Sequence, residues 1–335
     1  MLKEEEKFEF IINHESDIPK YQQLVDGITN AIAENILQKG DLLPSVNVIC
    51  KTHQLSRDTV FKAYSILKDQ NVIDSVPNKG YYVAGETRKV LLVLDTFKAY
   101  KEVLYHSFVN NLADNVITDV QFHHYNIDVF KTIINNGVGK YYKYVIMNFD
   151  HKDVAPTLSA ISNDKLLLID WNIHAEKTNN YIFQDFGKAF YNSLTEAIDL
   201  FKKYKKIEFV YPDFTNHPRE TLEFFKKFCA DFNFEYGIIT DSKKFNIEKE
   251  IAYISVSDRI LGYFLEQCKE KDFEPGKDVG FLSYNETPMK KFIYKGISVV
   301  STDFNEIGTK AAAFITHDEE TKCYVPTKLI IRESL

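Results

Sequence analysis

Two serines placed to cap short helices constrain this chain more than any other feature. Pro44-Ser45 opens one helix, Val46 to His53, and Ser56 opens a second, from Arg57 through Phe61, Tyr64, Ile66 and Leu67 toward Gln70. A serine at such a position can accept a hydrogen bond from a free N–H of the first helical turn. Ahead of this pair, Pro19 precedes a helix expected from Lys20 to Gln38. Its Tyr21, Leu24, Val25, Ile28, Ile32 and Ile36 recur at three- and four-residue steps, so one face is core. Gly40-Asp41 closes that helix in a turn. Behind the pair, Val72 to Val76, the turn Pro77-Asn78-Lys79-Gly80 and Tyr81 to Ala84 read as a hairpin, with Gly80 at a tip where φ must be positive or the backbone must approach another molecule closely. The segment 1–85 is thus predicted to be a helix-turn-helix backed by a two-stranded wing.

A helix of this kind enters the major groove of DNA by its first turn, which places Ser56, Arg57 and Thr59 at base edges. The Arg57 guanidinium suits a guanine edge or a phosphate, and the exposed caps Ser45 and Ser56 suit phosphates. Lys79 and Gly80 put the wing tip within reach of the duplex. Bulk charge does not carry this reading: the first 85 residues hold nine Lys/Arg against twelve Asp/Glu. Position does, because Lys51, His53, Arg57, Lys62 and Lys79 fall in or beside the reading elements, and phosphates are felt within a Debye length of about 8 to 10 Å.

Five separated elements appear in order: Pro19-x-Tyr21-x-Gln23, Gly40-Asp41-x-Leu43-Pro44-Ser45, Ser56-Arg57-x-Thr59-Val60, Ala63-Tyr64, and Lys79-Gly80-Tyr81-Tyr82-Val83. Together they resemble the N-terminal domain of GntR-family bacterial transcription regulators. The resemblance implies that Ser45, Ser56, Arg57, Thr59 and Gly80 occupy DNA-contacting positions. Where the family usually carries Glu-Arg, this chain has Val46-Asn47. Asn47 can hydrogen-bond DNA there but brings no charge.

The 335 residues allow about two or three domains, at roughly 100 to 200 residues each. No run approaches the roughly 18 to 20 apolar residues of a membrane helix, and the charged start, Met1 to Lys7, has no signal-peptide core. A cytoplasmic chain is expected. Cys50, Cys229, Cys268 and Cys323 lie far apart without metal-ligand spacing and read as reduced, mostly buried thiols.

Beyond a linker near 85–89, the span 86–335 alternates apolar strands with amphipathic helices, the pattern of parallel sheets covered on both faces. Two such runs predict two lobes with a cleft between them. This half resembles the two-lobed sugar sensors of LacI-type regulators and periplasmic sugar receptors. The residues carrying that likeness are Tyr181 to Asp185, Arg219, Ser255 to Gly262, and Phe273 to Phe281 leading to Asn285. It implies that Asp150, Asp185, Arg219, Asp258 and Asn285 face the cleft. The chemistry agrees, since ligands of parallel sheets sit at the carboxyl ends of strands, where Asp95, Asp150, Asp185, Asp258 and Asn285 fall. Carboxylates, an arginine and flat aromatic walls suit a neutral polyol. Trp171, the single tryptophan, with Tyr100 and Tyr105, would supply the walls. Helix capping is the competing role for Asp185 and for Asp170. His123-His124 and the other histidines lack ligand spacing and read as structural.

The expected protein is an α/β regulator that needs no cofactor. A homodimer would bind double-stranded operator DNA in response to a small molecule, expected to be an unphosphorylated monosaccharide such as a deoxyhexose or pentose. No membrane association is expected. Rival expectations are a sugar-processing enzyme or a transport-type sugar receptor with a protein-binding head. Neither a GxxxxGK loop, a GxSxG elbow, an HExxH motif nor a CxxC pair supports catalysis.

Overall fold

The computed structural model of the chain describes residues 11–16, 18–70, 72–76, 80–84, 88–113, 115–174, 178–316 and 320–335. They divide into two compact units. One takes in the chain up to Arg88 with a short stretch ending at Ile117; the other takes in Lys89–Ala113 and Thr118–Leu335.

The first unit holds α1 (Lys20–Ala33), α2 (Val46–His53), α3 (Arg57–Asp69) and the antiparallel pair β1 (Ile73–Val76) and β2 (Gly80–Val83). Leu24, Val25, Ile28, Val60, Ala63, Tyr64, Leu67, Ile73 and Val83 form its core. The loop before α2 joins the wing, with Gly40 N–H donating to the Val83 carbonyl and Leu43 N–H to that of Tyr81. Helix α1 stops short of Gln38 because Asn35 takes a left-handed φ of 58°. The N–H groups of Asn35 and Ile36 then bond back to the carbonyls of Ile32 and Ala31, a Schellman ending. That turn leaves Ile36 exposed, against expectation, and buries Leu37 instead.

From Arg88 onward, almost wholly in the second unit, the order continues as β3 (Arg88–Leu94), α4 (Ala99–Asn110), β4 (Val116–Phe122), α5 (Ile127–Gly137), β5 (Lys143–Met147), α6 (Val154–Leu158), β6 (Leu166–Asp170) and β7 (Asn180–Gln184). Then come α7 (Lys188–Glu196), α8 (Ile198–Phe201), β8 (Lys206–Val210), α9 (Glu220–Asp231), β9 (Tyr236–Ile239), β10 (Ile251–Ser255), α10 (Asp258–Lys271) and β11 (Gly280–Tyr284). The chain closes with β12 (Ser298–Thr302), α11 (Phe304–Thr316), β13 (Lys322–Val325) and β14 (Thr327–Ile330). Two six-stranded sheets result, ordered β13-β7-β6-β5-β3-β4 and β14-β12-β11-β10-β8-β9. Their inner strands are parallel and buried on both faces, as Leu91 to Leu94, Val145 to Met147 and Leu166 to Ile169 show. Among the described residues the chain passes between the lobes three times, after β7, after β12 and after β13. Helix α11 therefore packs on α4 of the first lobe, close enough that a Cβ at Gly308 would lie 2.5 Å from the Leu104 carbonyl oxygen.

Candidate functional sites

In the first unit, Ser45 Oγ accepts from Val48 N–H at 3.3 Å and Ser56 Oγ from Thr59 N–H at 3.2 Å, so both serines are N-caps. The Ser56 and Thr59 hydroxyls also meet at 2.8 Å. Ser45, Asn47, Ser56 and Arg57 are exposed and Thr59 is half-buried. Tyr64 donates to the Pro44 carbonyl at 2.7 Å, pinning α3 beneath the start of α2. Asp74 on the wing pairs with Lys68 at 3.1 Å. Arg57 has no ion-pair partner among the described residues and lies 5.9 Å from the Phe61 ring centroid. Its guanidinium is free to meet an anion or a base edge. Gly80 has the positive φ expected of it, 97°, with nothing within 4 Å of where a Cβ would stand. Lys79 lies outside the described residues.

In the second unit a cavity of about 430 Å³ opens at the carboxyl ends of both sheets. Its walls come from the loops after β3, β4, β5, β6 and β7 on one lobe and after β8, β10 and β11 on the other. Strand order reverses beside β3 in the first sheet and beside β8 in the second, so the cavity sits at the switch point of each. Of the effector residues expected from the sequence, Tyr100, Trp171, Asp258 and Asn285 line it. Tyr105, Asp150, Asp185 and Arg219 do not. Tyr105 lies more than a turn along α4 and packs edge-on against Phe97, their centroids 5.9 Å apart. Asp150 is exposed two residues beyond Asn148, which does line the cavity. Asp185 Oδ1 accepts from Gly187 N–H at 3.0 Å, a turn-closing role at the entry to α7. Arg219 is exposed behind Pro218, where the lining ends.

The walls combine aromatic faces with committed and uncommitted polar groups. Tyr100, Tyr125, Trp171, Phe186, Phe214 and Tyr284 supply the faces. Asp258 pairs at 2.7 Å with Lys290, a lysine 1% exposed whose ammonium also donates to the carbonyls of Tyr284 and Asn285. Burial pushes the Lys290 pKa down, and Asp258 opposes that shift. Asp170 accepts a hydrogen bond from Gln184, and burial raises its carboxyl above the usual range while the Lys101 ammonium pulls it back. Lys101 is itself buried against Asp95, to which Tyr125 also donates. Two buried amide oxygens of the lining remain without a hydrogen-bond partner among the described residues: Asn148 Oδ1 from one lobe and Asn285 Oδ1 from the other. Both border the cavity, and Asn148 is 2% exposed. A buried acceptor left unmatched costs roughly 1 to 3 kcal/mol, so the site is poised for a ligand that donates hydrogen bonds to both lobes.

Asn148 escapes sequence reasoning because strand-end position does not say which residue turns inward. Lys98 and Arg259 also line the cavity. Arg259 lies over the Phe214 ring, 4.7 Å from its centroid, and neither cation has an ion-pair partner among the described residues. The described residues contain no cluster of three or more His, Cys, Asp or Glu that could hold a metal, and all four cysteines are free. No described helix is long and apolar enough to cross a membrane.

Fold and sites define a winged helix-turn-helix head followed by a two-lobed α/β unit with a cleft. Residues 20–83 match the model of bacterial regulatory proteins of the gntR family. The HTH-type transcriptional repressor YtrA of Bacillus subtilis is 30% identical over 93 residues, which cover 28% of this chain and 71% of that protein. The chain belongs to the gntR family. The Escherichia coli HTH-type transcriptional regulator YdcR is 41% identical over 71 residues, 21% of this chain and only 15% of that protein's length. In fold, the chain is similar to the trehalose repressor of Escherichia coli, with a TM-score of 0.62 at 13% identity over 73% of this chain and 100% of that one.

Proposed function

We propose that this chain is a DNA-binding transcription regulator whose operator affinity is set by a monosaccharide held between the two lobes of its second unit. The observation that carries the reading is the cavity between the lobes, where unmatched amide oxygens from both sides border aromatic faces. Sugar hydroxyls donate to such oxygens, and the apolar faces of a sugar ring stack on aromatic walls. A neutral pyranose or furanose fits a volume of about 430 Å³, which lies within the usual range for small-ligand sites. The fold shared with a protein described as a trehalose repressor is compatible with a sugar in such a cleft. Ser45, Asn47, Ser56, Arg57, Thr59, Lys79 and Gly80 form the proposed DNA surface, with residues 1–85 as head and 86–335 as effector and dimerisation region. In a homodimer the paired heads would read half-sites about one helical turn, roughly 34 to 36 Å, apart or at multiples of it.

Lys98 and Arg259 favour a second reading, in which the sugar carries an anionic group toward those two cations. A thermal-shift series with D-xylose, L-arabinose, L-rhamnose and L-fucose, run beside phosphorylated forms of the pentoses, separates the two. Stabilisation by a free sugar supports the first reading, and stabilisation by a sugar phosphate alone supports the second. If no sugar in either set stabilises the chain, the sugar reading is lost. Release or tightening of an operator fragment by the same sugar, in a gel-shift titration, tests the coupling.

A further inference from the structure

The three passages between the lobes are joined by side chains. Gln184 ends β7 at the first crossover, Thr302 ends β12 at the second, and Thr327 opens β14 at the third. These side chains are 2%, 3% and 4% exposed. The Thr302 hydroxyl donates to the Gln184 amide oxygen at 2.8 Å, and the Thr327 hydroxyl donates to the main-chain carbonyl of Asp185 at 2.8 Å. The two threonines pair across β12 and β14, their hydroxyls 3.3 Å apart. The other end of the Gln184 amide donates to the Asp170 carboxylate on the cavity wall. Asp170 itself holds a φ of 80°, a conformation that costs a non-glycine residue and persists only where its surroundings hold it.

We infer that Gln184 and Thr302 are positioning residues, which aim the Asp170 carboxylate into the cavity and tie it to all three crossovers, so that a ligand engaging Asp170 moves the crossovers together. The inference rests on the reading of the cavity as an effector site. Its geometry follows from donor and acceptor identity. A carboxylate accepts only, so Gln184 must present its N–H₂ to Asp170, which turns its carbonyl toward the hydroxyl of Thr302. One side chain thereby spans the cavity wall and a second crossover. Thr327 completes the chain by holding the main-chain carbonyl that follows Gln184. A buried polar network in which each member is satisfied resists piecemeal movement, because separating any one pair strands its partner.

The test uses the full chain with Thr302→Val, which keeps the side-chain shape but loses the hydroxyl, and Thr302→Ser, which restores the hydroxyl. Without ligand, hydrogen exchange is followed in the segments 183–188, 300–305 and 324–329 and around 169–172. Thr302→Val should quicken exchange in all of them, on the order of tenfold, and Thr302→Ser should stay near the wild-type rate. With the sugars of the thermal-shift series, Trp171 emission reports occupancy and small-angle scattering reports closure. Thr302→Val should saturate in emission yet compact less than the wild type, with Thr302→Ser recovering the compaction. Faster exchange confined to 300–305, or a serine variant no better than the valine one, overturns the inference. If no sugar moves Trp171 emission in the wild type, the sugar reading fails, and the ligand-free exchange pattern still decides the role of Gln184 and Thr302.

Discussion

His123 shows how one buried side chain sets a pH limit on the fold. Its ring is fully buried and stacks on Phe149, with centroids 4.6 Å apart. Its Nδ1 accepts from Tyr125 N–H at 3.0 Å, and its Nε2 lies 3.1 Å from the Met147 carbonyl oxygen. An N–H facing one nitrogen and a carbonyl facing the other require the neutral ring with its proton on Nε2. Burial accordingly pushes the His123 pKa down to about 4, and that of His217 down to about 3. Between pH 6.5, the ordinary value, and about 4, the unfolded chain takes up a proton that folded His123 refuses. Stability is therefore full above that ordinary value and is lost as pH falls toward 4, by about 3 kcal/mol for this residue. Urea unfolding of His123→Gln should show a stability less dependent on pH across this window, by about one proton, with the His217 contribution remaining. An unchanged dependence would remove His123 as the cause. The sequence marks this histidine as structural through its lack of partners at ligand spacing, but the tautomer follows only from the two main-chain groups that meet it in space.

Among the elements, the helices of the head were the most legible, because caps and periodicity are local. Val46–His53 and the start of α3 at Arg57 fall where Ser45 and Ser56 place them. The end of α1 was not legible, since an apolar repeat runs on through Ile36 while a left-handed Asn35 diverts the chain. Strands β13 and β14 went unread for a related reason. They are four residues each and sit at sheet edges, and Lys322, Tyr324, Lys328 and Ile330 face outward, so little apolar signal remains. Helix α3 offers a test that separates a cap from a DNA contact. Ser56→Ala should cost about 1 kcal/mol of stability, within a range of about 0.5 to 2, measured by denaturant unfolding. Ser56→Asp should keep the cap and hold stability within a few tenths of a kcal/mol. Its added negative charge would nevertheless face the phosphates, so operator affinity in a gel shift should fall more for Asp than for Ala. Equal losses would indicate that the serine acts on DNA only through helix stability.

At the scale of the whole molecule, two runs of alternating strands and helices announced two lobes with a cleft, yet the resemblance and the carboxyl-end rule that agreed with it named only part of the lining. Tyr100, Trp171, Asp258 and Asn285 reach the cavity, while Asp185 closes a turn and Asp150 gives way to Asn148. A strand end offers two or three adjacent residues, and the loop that follows decides which one points inward. The proposed division of labour makes a sharper demand than either site does alone. Arg57 is exposed and has no ion-pair partner among the described residues, and Asp258 lines the cavity in the second unit. A ligand at 100 times its dissociation constant adds about 2.7 kcal/mol to apparent stability. Arg57→Ala should keep that sugar-dependent stabilisation in full while specific operator affinity drops by at least about tenfold, the weight of one bidentate base contact of roughly 1 to 3 kcal/mol. Asp258→Ala should do the reverse, holding operator affinity in the absence of sugar and losing the stabilisation. The two variants, titrated against operator and sugar in the same buffer, should each lose one response. Loss of both responses in either variant would show that its side chain supports the fold rather than one ligand, and no loss in Arg57→Ala would take the reading turn off the DNA.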